Sequence, residues 1–312
     1  MSSSNHTLVM FFFLTGISNI PELQLPVFLL VFLSYLITLV GNITIFLLVC
    51  LDHHLHTPMY FFLCNLSILD MSSSTVTMHR IFVNFITGDT TISFFACMTQ
   101  MYIFASLTSD ELLLLTIMSY DRYMAICSPL RYHTVMCLKF CSKLTAFCWV
   151  VGFLQVLPLV VMLSRITCFK TTEINHFFCD IMPLIRLPCE DISTLELYNF
   201  INGLILAVFP FFLTFIPYIF IVIAILKIRS STGRRKTFYT CSSHLTVIIL
   251  LYTSLVCQYL QPDSMVSKGS NKLYSLFNTA AVPMLNPLIY SLKNKDVKEA
   301  LKRRRRTMAL IN

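Results

Sequence analysis

Charged residues are scarce in this chain of 312 residues. Asp, Glu, Lys and Arg make up only 12% of the sequence, and 56% of the residues are hydrophobic. Soluble domains carry about 25% charged residues, so this composition excludes an ordinary soluble fold. The length alone would allow two domains, but the hydrophobic segments predict one bundle.

Seven stretches with little or no charge are long enough to cross about 30 Å of hydrocarbon. Four of them contain no charged residue, and the other three contain only acids or one His. Runs of this length predict helices, since the strict alternation of a membrane strand is absent. The sequence therefore predicts an all-α membrane protein, a bundle of seven transmembrane helices. The predicted spans are Pro26–Leu51, Pro58–Met78, Phe94–Tyr120, Leu144–Leu163, Leu197–Leu226, Thr237–Gln261 and Leu273–Leu292.

Most of the 23 Lys and Arg residues fall in the loop after span three, the loop after span five and the tail. Because cytoplasmic loops carry such an excess, these segments are predicted to lie inside. We therefore expect an extracellular N-terminus at 1–25, the membrane domain at 26–292 and a cytoplasmic tail at 293–312. The tail is expected to form a short amphipathic helix against anionic lipid rather than to bind nucleic acid.

The outer segment lacks the basic flank and cleavage site of a signal peptide, so span one is expected to direct insertion itself. Asn5 begins a glycosylation sequon in this segment. The sequons at Asn42 and Asn65 fall inside predicted spans, where no sugar can be attached. Asn5 alone is therefore predicted to carry glycan.

Twelve cysteines are present, and four fall on the predicted outer side, where disulfides persist. These four residues are Cys97, Cys168, Cys179 and Cys189. Four cysteines allow three pairings, and the sequence alone does not choose among them. The others lie at the inner face or inside spans, where we expect reduced thiols or small hydrophobic side chains.

Four motifs occur in fixed order along nearly the whole chain. They read LHTPMYFFLCNLSILD at 55–70, MSYDRYMAIC at 118–127, KTFYTCSSHL at 236–245 and PMLNPLIYSLKN at 283–294. Together they resemble the motifs of olfactory receptors, a branch of the rhodopsin-like G-protein-coupled receptors. The departures are small: Ser119 stands where that family usually has Ala, and Tyr239 and Ser242 differ from its commonest string.

The resemblance implies an odorant receptor in the plasma membrane, in the cilia of olfactory neurons. It implies a small, neutral, partly apolar ligand and a stimulatory heterotrimeric G protein that acts through cyclic AMP. No activated nucleophile or catalytic metal motif is present, so we expect no enzyme activity. A receptor for another small ligand is one alternative. A membrane transporter is another, but the halves of the sequence show no self-similarity.

The resemblance also assigns the residues of a conformational switch. An Asp–Arg pair at membrane depth is expensive and usually functional, and Arg stays charged there. The foot of span six carries Arg234, Arg235 and Lys236 rather than an acid, so Asp121 and packing must hold the resting state. The implied switch residues are Asp121, Arg122, Tyr123, Tyr218, Asn286, Pro287 and Tyr290.

Two carboxylates, Asp70 and Glu111, lie in neighbouring predicted spans, and the resemblance places them at a sodium site. The alternative is that they are neutral and hydrogen-bonded. Asp110 points about 100° away from Glu111 on a helix, so both cannot face one ion. His53, His54 and His56 crowd the first inner turn, but their spacing does not favour a zinc site.

By the same resemblance, the ligand site lies in the outer half of the bundle, and the disulfides are Cys97–Cys179 and Cys168–Cys189. Amine receptors carry an acid on span three where Phe104 stands here, and no pocket position is charged. An apolar pocket with a few hydroxyls suits a small neutral molecule. The implied ligand residues are Phe104, Ala105, Thr108, Ser109, Asn202, Leu206, Tyr252, Leu255, Tyr259 and Thr279.

Overall fold

The computed structural model describes residues 10–17, 20–259, 270–293 and 295–311, and these are mostly helical. Asn5 and the predicted outer end of span six at 260–261 lie outside them. The helices are α1 Pro21–Leu51, α2 Pro58–Thr87, α3 Phe94–Cys127, α4 Pro129–Val135, α5 Leu138–Ser164, α6 Ile181–Ile185, α7 Ser193–Gly203, α8 Phe209–Leu226, α9 Ser231–Tyr259, α10 Ser270–Leu276, α11 Val282–Lys293 and α12 Lys295–Ile311. A 3₁₀ turn, His53–Leu55, joins α1 to α2.

Within the described residues, five helical segments are long and apolar enough to cross a membrane. They are α1, α3, α5, the continuous stretch Ser193–Leu226 and α9. Helix α2 packs between α1 and α3, and α11 packs against α1 and α9, so both belong to the same bundle. Helix α2 ends nine residues after its predicted end at Met78. The residue that stops it is Gly88, whose φ of 72° lies in the left-handed region that closes many helices.

Two predicted spans are interrupted helices. A π turn, Leu204–Val208, separates α7 from α8, and another, Phe277–Ala281, separates α10 from α11. Each turn is followed closely by a proline, Pro210 or Pro283, which has no N–H to donate to the preceding turn. The freed carbonyl of Thr279 instead accepts a hydrogen bond from Ser74 Oγ at 3.4 Å. Hydropathy did not predict these breaks, because the hydropathy of an apolar segment does not depend on whether its backbone hydrogen bonds follow the α or the π pattern.

A three-stranded sheet lies at one end of the bundle, where the sequence predicted no strands. Strand β1 (Phe11–Leu14) pairs antiparallel with β2 (Thr91–Ser93) and parallel with β3 (Glu173–Ile174). Phe12 and Leu14 are buried under it, in a cluster with Cys97 and Cys179. We call this the outer end of the bundle, and the end that carries Asp121 and Arg122 the inner end. The predicted N-terminal segment therefore contains a paired strand and the first turn of α1.

The tail forms helix α12, which is tied to the first inner turn. Arg303 Nη2 lies 2.8 Å from Asp52 Oδ2, and Tyr60 donates a hydrogen bond to Asp296 Oδ2 at 2.9 Å. The largest cluster of buried apolar side chains extends from this turn through the inner half of the bundle. The inner end is consequently a packed assembly rather than a set of separate helix ends.

Candidate functional site

The inner end is organised around the ion pair of Asp121 and Arg122, on the last turns of α3. Arg122 Nε lies 3.0 Å from Asp121 Oδ2, and its Nη2 contacts the same oxygen. The other carboxylate oxygen accepts a hydrogen bond from the Tyr132 hydroxyl of α4 at 2.9 Å. Asp121 is fully buried, and Arg122 is 14% exposed. The sequence predicted the pair and missed Tyr132, which only the folded inner loop brings to the carboxylate.

Helix α9 offers Arg122 no counter-charge, since Ser231–Tyr259 contains no acid. Arg235 lies over the ring of Tyr239, 5.6 Å from its centroid. Tyr123 turns away from the ion pair and packs edge-on against Phe220 of α8 at 6.1 Å. Within the part of the chain that the structure describes, Asp121 is thus the carboxylate that pairs with Arg122.

Tyr218 of α8 and His244 of α9 share a hydrogen bond of 2.5 Å between the hydroxyl and Nδ1. Both are buried, as is Tyr290 of α11. His244 Nε2 and the Tyr290 hydroxyl have no hydrogen-bond partner among the described residues. One predicted switch tyrosine, Tyr218, is therefore bonded to a buried histidine to which the sequence assigned no role. The sequence did give one indication of a role, because His244 is a lone His in a predicted span that is otherwise uncharged.

The carboxylates of Asp70 and Glu111 meet at Asn286, inside the bundle. Asn286 Nδ2 donates to the two oxygens of Asp70 at 3.0 and 3.1 Å, and Glu111 interacts with the same amide. Asn286 Oδ1 and Glu111 Oε1 have no partner in the described structure. Two carboxylates and an amide oxygen are hard oxygen ligands of the kind that bind hard cations. Ser67 instead donates to Leu63 O of its own helix.

Asp110 points away from this group, as the helical geometry predicts. It lies between α3 and α5, where a Cβ added to Gly152 would come within 1.9 Å of Asp110 Oδ1. The side chain is buried, and neither oxygen has a partner in the described residues. Gly152 therefore makes room for an acid that packs between two helices.

The predicted ligand residues divide by burial. Phe104, Ser109, Tyr252, Leu255 and Thr279 are buried, while Ala105, Thr108, Asn202, Leu206 and Tyr259 are half-buried. Three of the predicted hydroxyls already donate to their own helices: Thr108 to Phe104 O, Ser109 to Ala105 O and Thr279 to Ser275 O. Ser109 Oγ also accepts from Gln155 Nε2 at 2.7 Å. These hydroxyls can therefore offer a ligand mainly acceptor positions.

The outer loop covers these residues and brings an acid to them. Tyr259 donates its hydroxyl to Asp180 Oδ1 at 3.1 Å, and Gln258 Nε2 donates to Oδ2 at 2.9 Å. Burial raises the pKa of Asp180, although these donors and the Ile181 N–H favour its charged form. This differs from the expectation that no charged group reaches the pocket positions. The sequence places Asp180 in a loop, and only the fold brings it to Tyr259.

The loop is fastened to the bundle beside this acid. The structure contains Cys97–Cys179 and Cys168–Cys189, the two pairs that the resemblance implied. The Cys179 N–H donates to Gln100 Oε1 at 3.1 Å, and Gln100 Nε2 donates to Val76 O at 2.8 Å.

Next to the disulfide, His176 stacks with Phe177, their ring centroids 4.6 Å apart. Phe178, the next residue, packs edge-on against Phe104 at 4.9 Å. Burial, together with the nearby Lys272 ammonium, lowers the pKa of His176 to about 3. The loop is thus a packed roof over the predicted ligand residues.

At the first inner turn, Asp52, His53 and His54 place one ligand atom each within 4.8 Å of one another. Asp52 is already engaged by Arg303, and this ion pair and the His54 N–H outweigh burial and lower the pKa of Asp52. The carboxylate therefore serves as an anchor for α12.

Comparison with known proteins identifies the class. The family model described as olfactory receptor matches residues 31–306. Olfactory receptor 6B3 from Homo sapiens is 44% identical over 303 residues, covering 97% of this chain and 92% of that protein. Olfactory receptor 8G50 from Mus musculus is 43% identical, covering 96% of each chain. Olfactory receptor 8G1 from Homo sapiens is 44% identical over 310 residues, covering 99% of this chain and 100% of that protein.

Together with the apolar helices, these matches define a multi-pass membrane protein of a signalling class rather than an enzyme. The chain belongs to the olfactory receptor family. The resemblance that the four motifs indicated is confirmed.

Proposed function

We propose that this chain is an odorant receptor that activates a stimulatory heterotrimeric G protein and raises cyclic AMP. The observation that carries the proposal is the pairing of two sites in one bundle. A roofed group of apolar and hydrogen-bonding residues lies at the outer end, and a buried Asp121–Arg122 pair lies at the inner end. The family supports a position in the plasma membrane, in olfactory cilia.

Seven spans with an extracellular N-terminus agree with this role. To the five long apolar segments we add α2 and the α10–α11 segment, Ser270–Lys293. Helix α2 has 30 residues, or about 45 Å of helix, which exceeds the hydrocarbon thickness. If this topology holds, Asn5→Gln should remove all glycan from the receptor. A glycosidase-sensitive shift that survives the substitution would place another sequon outside.

The ligand we propose is small, neutral and partly apolar, an alcohol, aldehyde, ketone or ester. Phe104 and Leu255 provide an apolar wall, and the neighbouring Asp180 and its donors provide one polar corner. An anionic ligand would lose several kcal/mol of hydration with no positive charge at these positions, and a cationic ligand would meet an Asp180 whose oxygens already accept from Tyr259, Gln258 and the Ile181 N–H. With few atoms and one or two hydrogen bonds, binding should be micromolar or weaker.

Activation would release Arg122 from Asp121 so that it meets the G protein. Pro217 in α8 directly precedes Tyr218, and Pro287 in α11 lies about one helical turn before Tyr290. Each proline removes a backbone donor from its helix. Bends at these points let Tyr218 and Tyr290 move at modest cost. The ligand can drive this change only by binding the active state more tightly than the resting state.

We also propose that Asp70, Glu111 and Asn286 hold a sodium ion in the resting state. An ion that binds only this state would lower agonist affinity. Raising sodium at constant ionic strength should therefore weaken the odorant response of the wild type, and Asp70→Asn should blunt the effect. Equal sodium dependence in both proteins would leave the neutral, hydrogen-bonded alternative.

Nucleotide exchange on a purified stimulatory G protein tests the central proposal. Receptor in nanodiscs is exposed to a panel of neutral odorants, with matched carboxylic acids and amines. Phe104→Trp, which fills the buried site, should abolish the response, whereas Phe147→Trp on the exposed face of α5 should keep it. Solute flux across vesicles without any nucleotide exchange would favour the transporter alternative, and a preference for a charged ligand would overturn the ligand assignment.

A further inference from the structure

The side-chain amide of Gln155, on α5, contacts a predicted ligand residue although the sequence did not include it in that set. Its Nε2 donates to Ser109 Oγ of α3 at 2.7 Å and to Gly152 O of its own helix at 3.2 Å. The backbone carbonyl of Gln155 accepts from the Tyr198 hydroxyl of α7 at 2.8 Å. Gln155 is therefore held where three helices meet.

The partners of this amide also fix which way it faces. A backbone carbonyl such as Gly152 O can only accept, so the NH₂ group must point toward it. The amide oxygen, Oε1, then points away from Gly152 O. It is buried and has no hydrogen-bond partner within the described part of the chain. A buried acceptor of this kind is unfavourable unless a donor reaches it.

A ligand that contacts Ser109 would also be near this acceptor. The oxygen and nitrogen of an amide are about 2.3 Å apart, so Oε1 lies within about 5 Å of Ser109 Oγ. The Ser109 hydroxyl has already donated its hydrogen to Ala105 O. This side of the predicted site therefore presents two acceptors and no free hydroxyl hydrogen.

The other polar residues of the predicted ligand set mostly add acceptors. The hydroxyl hydrogens of Thr108 and Thr279 are donated to their own helices, and that of Tyr259 is donated to Asp180. Each hydroxyl oxygen can still accept. Asn202 carries both a donor and an acceptor, so it favours neither kind of ligand.

Tyr252 has the remaining hydroxyl of the set, and it lies at a deeper level. It interacts with Thr214 of α8, whose Oγ1 is 2.9 Å from Thr116 Oγ1. Thr116 follows Ser109 by seven residues, which places it about 10 Å further inward along α3. The Tyr252 hydroxyl is therefore remote from the Gln155 acceptor.

We propose that Gln155 Oε1 determines ligand specificity and that the ligand is a hydrogen-bond donor, a neutral alcohol or phenol. This inference rests on the proposed function and narrows its ligand class. An aldehyde, ketone, ether or ester has no hydrogen to give, so it would leave Oε1 unpaired and bring another acceptor beside it. Sites discriminate against an analogue when it leaves their buried polar atoms unpaired.

Direct binding tests the ligand class separately from signalling. The full-length receptor in nanodiscs is titrated with aliphatic, terpene and phenolic alcohols, including octanol, citronellol and cresol. Each alcohol is compared with its methyl ether, and octanol and citronellol also with their aldehydes. Affinity is obtained from the rise in thermal unfolding temperature with ligand concentration. In the wild type, each alcohol that binds should do so about tenfold more tightly than its ether or aldehyde.

Gln155→Met tests the acceptor itself, because methionine has nearly the same length and volume but no amide. The ratio of alcohol to ether affinity should fall about tenfold, through weaker alcohol binding and with ether binding unchanged. Gln24→Met, at an exposed position of α1, is the matched control and should keep the wild-type ratio. The wild-type comparison needs no variant, so it remains decisive if Gln155→Met does not fold.

The outcomes separate this inference from the proposed function. Ethers or aldehydes that bind as tightly as their alcohols would overturn the inference, and nucleotide exchange driven by them would leave the proposed function standing. A preference for alcohols that produces no nucleotide exchange would do the reverse. An alcohol preference that survives Gln155→Met would mean that internal water alone satisfies Oε1, and binding of no alcohol would also overturn the inference.

Discussion

Two buried aspartates, one at each end of the bundle, are stabilised in different ways. Asp121 at the inner end faces a guanidinium and a tyrosine hydroxyl, whereas Asp180 at the outer end faces an amide, a hydroxyl and a backbone N–H. A guanidinium remains charged at any physiological pH, so the inner pair is permanent until a conformational change separates it. The outer acid depends on neutral donors, two from α9 and one from the backbone of the next residue, Ile181. The inner ion pair is therefore suited to a change between two conformations, whereas the contacts of Asp180 hold the outer loop in one position.

The largest expected effect is at the inner end. Arg122→Ala should abolish odorant-stimulated cyclic AMP while the receptor still reaches the surface, because the residue proposed to meet the G protein is gone. Arg131→Ala, an exposed arginine on the neighbouring α4, should signal normally. Surface labelling and a cyclic-AMP reporter measure the two properties. Full signalling by Arg122→Ala would assign the switch to other residues.

The next largest effect is on thermal stability, and it concerns the two disulfides of the outer loop. Closing a loop with a disulfide is worth about 2–4 kcal/mol, and the Cys97–Cys179 bond spans 82 residues against 21 for Cys168–Cys189. Cys97→Ser should therefore lower the thermal stability more than Cys168→Ser does. Peptide mapping under non-reducing conditions checks the pairs themselves, and a Cys97–Cys189 fragment would contradict the arrangement.

Lowering the pH should destabilise the outer loop, because the buried His176 must become protonated. Its pKa is about 3 in the folded protein and near 6.5 when unfolded, so between these values the unfolded chain binds the extra proton. Stability is then lost as the pH falls below about 6.5, by about 2 kcal/mol at pH 5. Thermal unfolding at pH 7 and pH 5 should show a larger drop for the wild type than for His176→Gln. An equal drop in both would assign the acid sensitivity to other groups.

The smallest effect concerns one hydrogen bond of Asp180. Tyr259→Phe removes the hydroxyl but leaves the Gln258 and Ile181 donors, so about 1 kcal/mol is at stake. Odorant potency should fall about tenfold or less. Tyr102→Phe, which loses a hydroxyl bonded to Phe153 O instead, is the control and should keep its potency. A loss far beyond tenfold for Tyr259→Phe would mean that the hydroxyl contacts the ligand directly.

The predictions from sequence succeeded where a residue's neighbours lie close in the chain. Asp121 and Arg122 are adjacent, so their pairing follows from the motif. The 100° step between Asp110 and Glu111 likewise sends them to different helices, one against Gly152 and one toward Asn286. Tyr132 and His244 were missed, because their partners lie on other helices and no local pattern shows which side chains will meet.

Composition and motif order alone determined that this is a helical membrane protein of the olfactory receptor family. Long uncharged runs exclude soluble folds, and four motifs in register leave one family. The tertiary structure decided the rest: the pairing of strand β1 under the outer loop, the ion pair of Asp52 with Arg303 and the contact of Asp180 with Tyr259. Each depends on the distance between segments far apart in the chain, and hydrophobicity along a sequence carries no information about that distance.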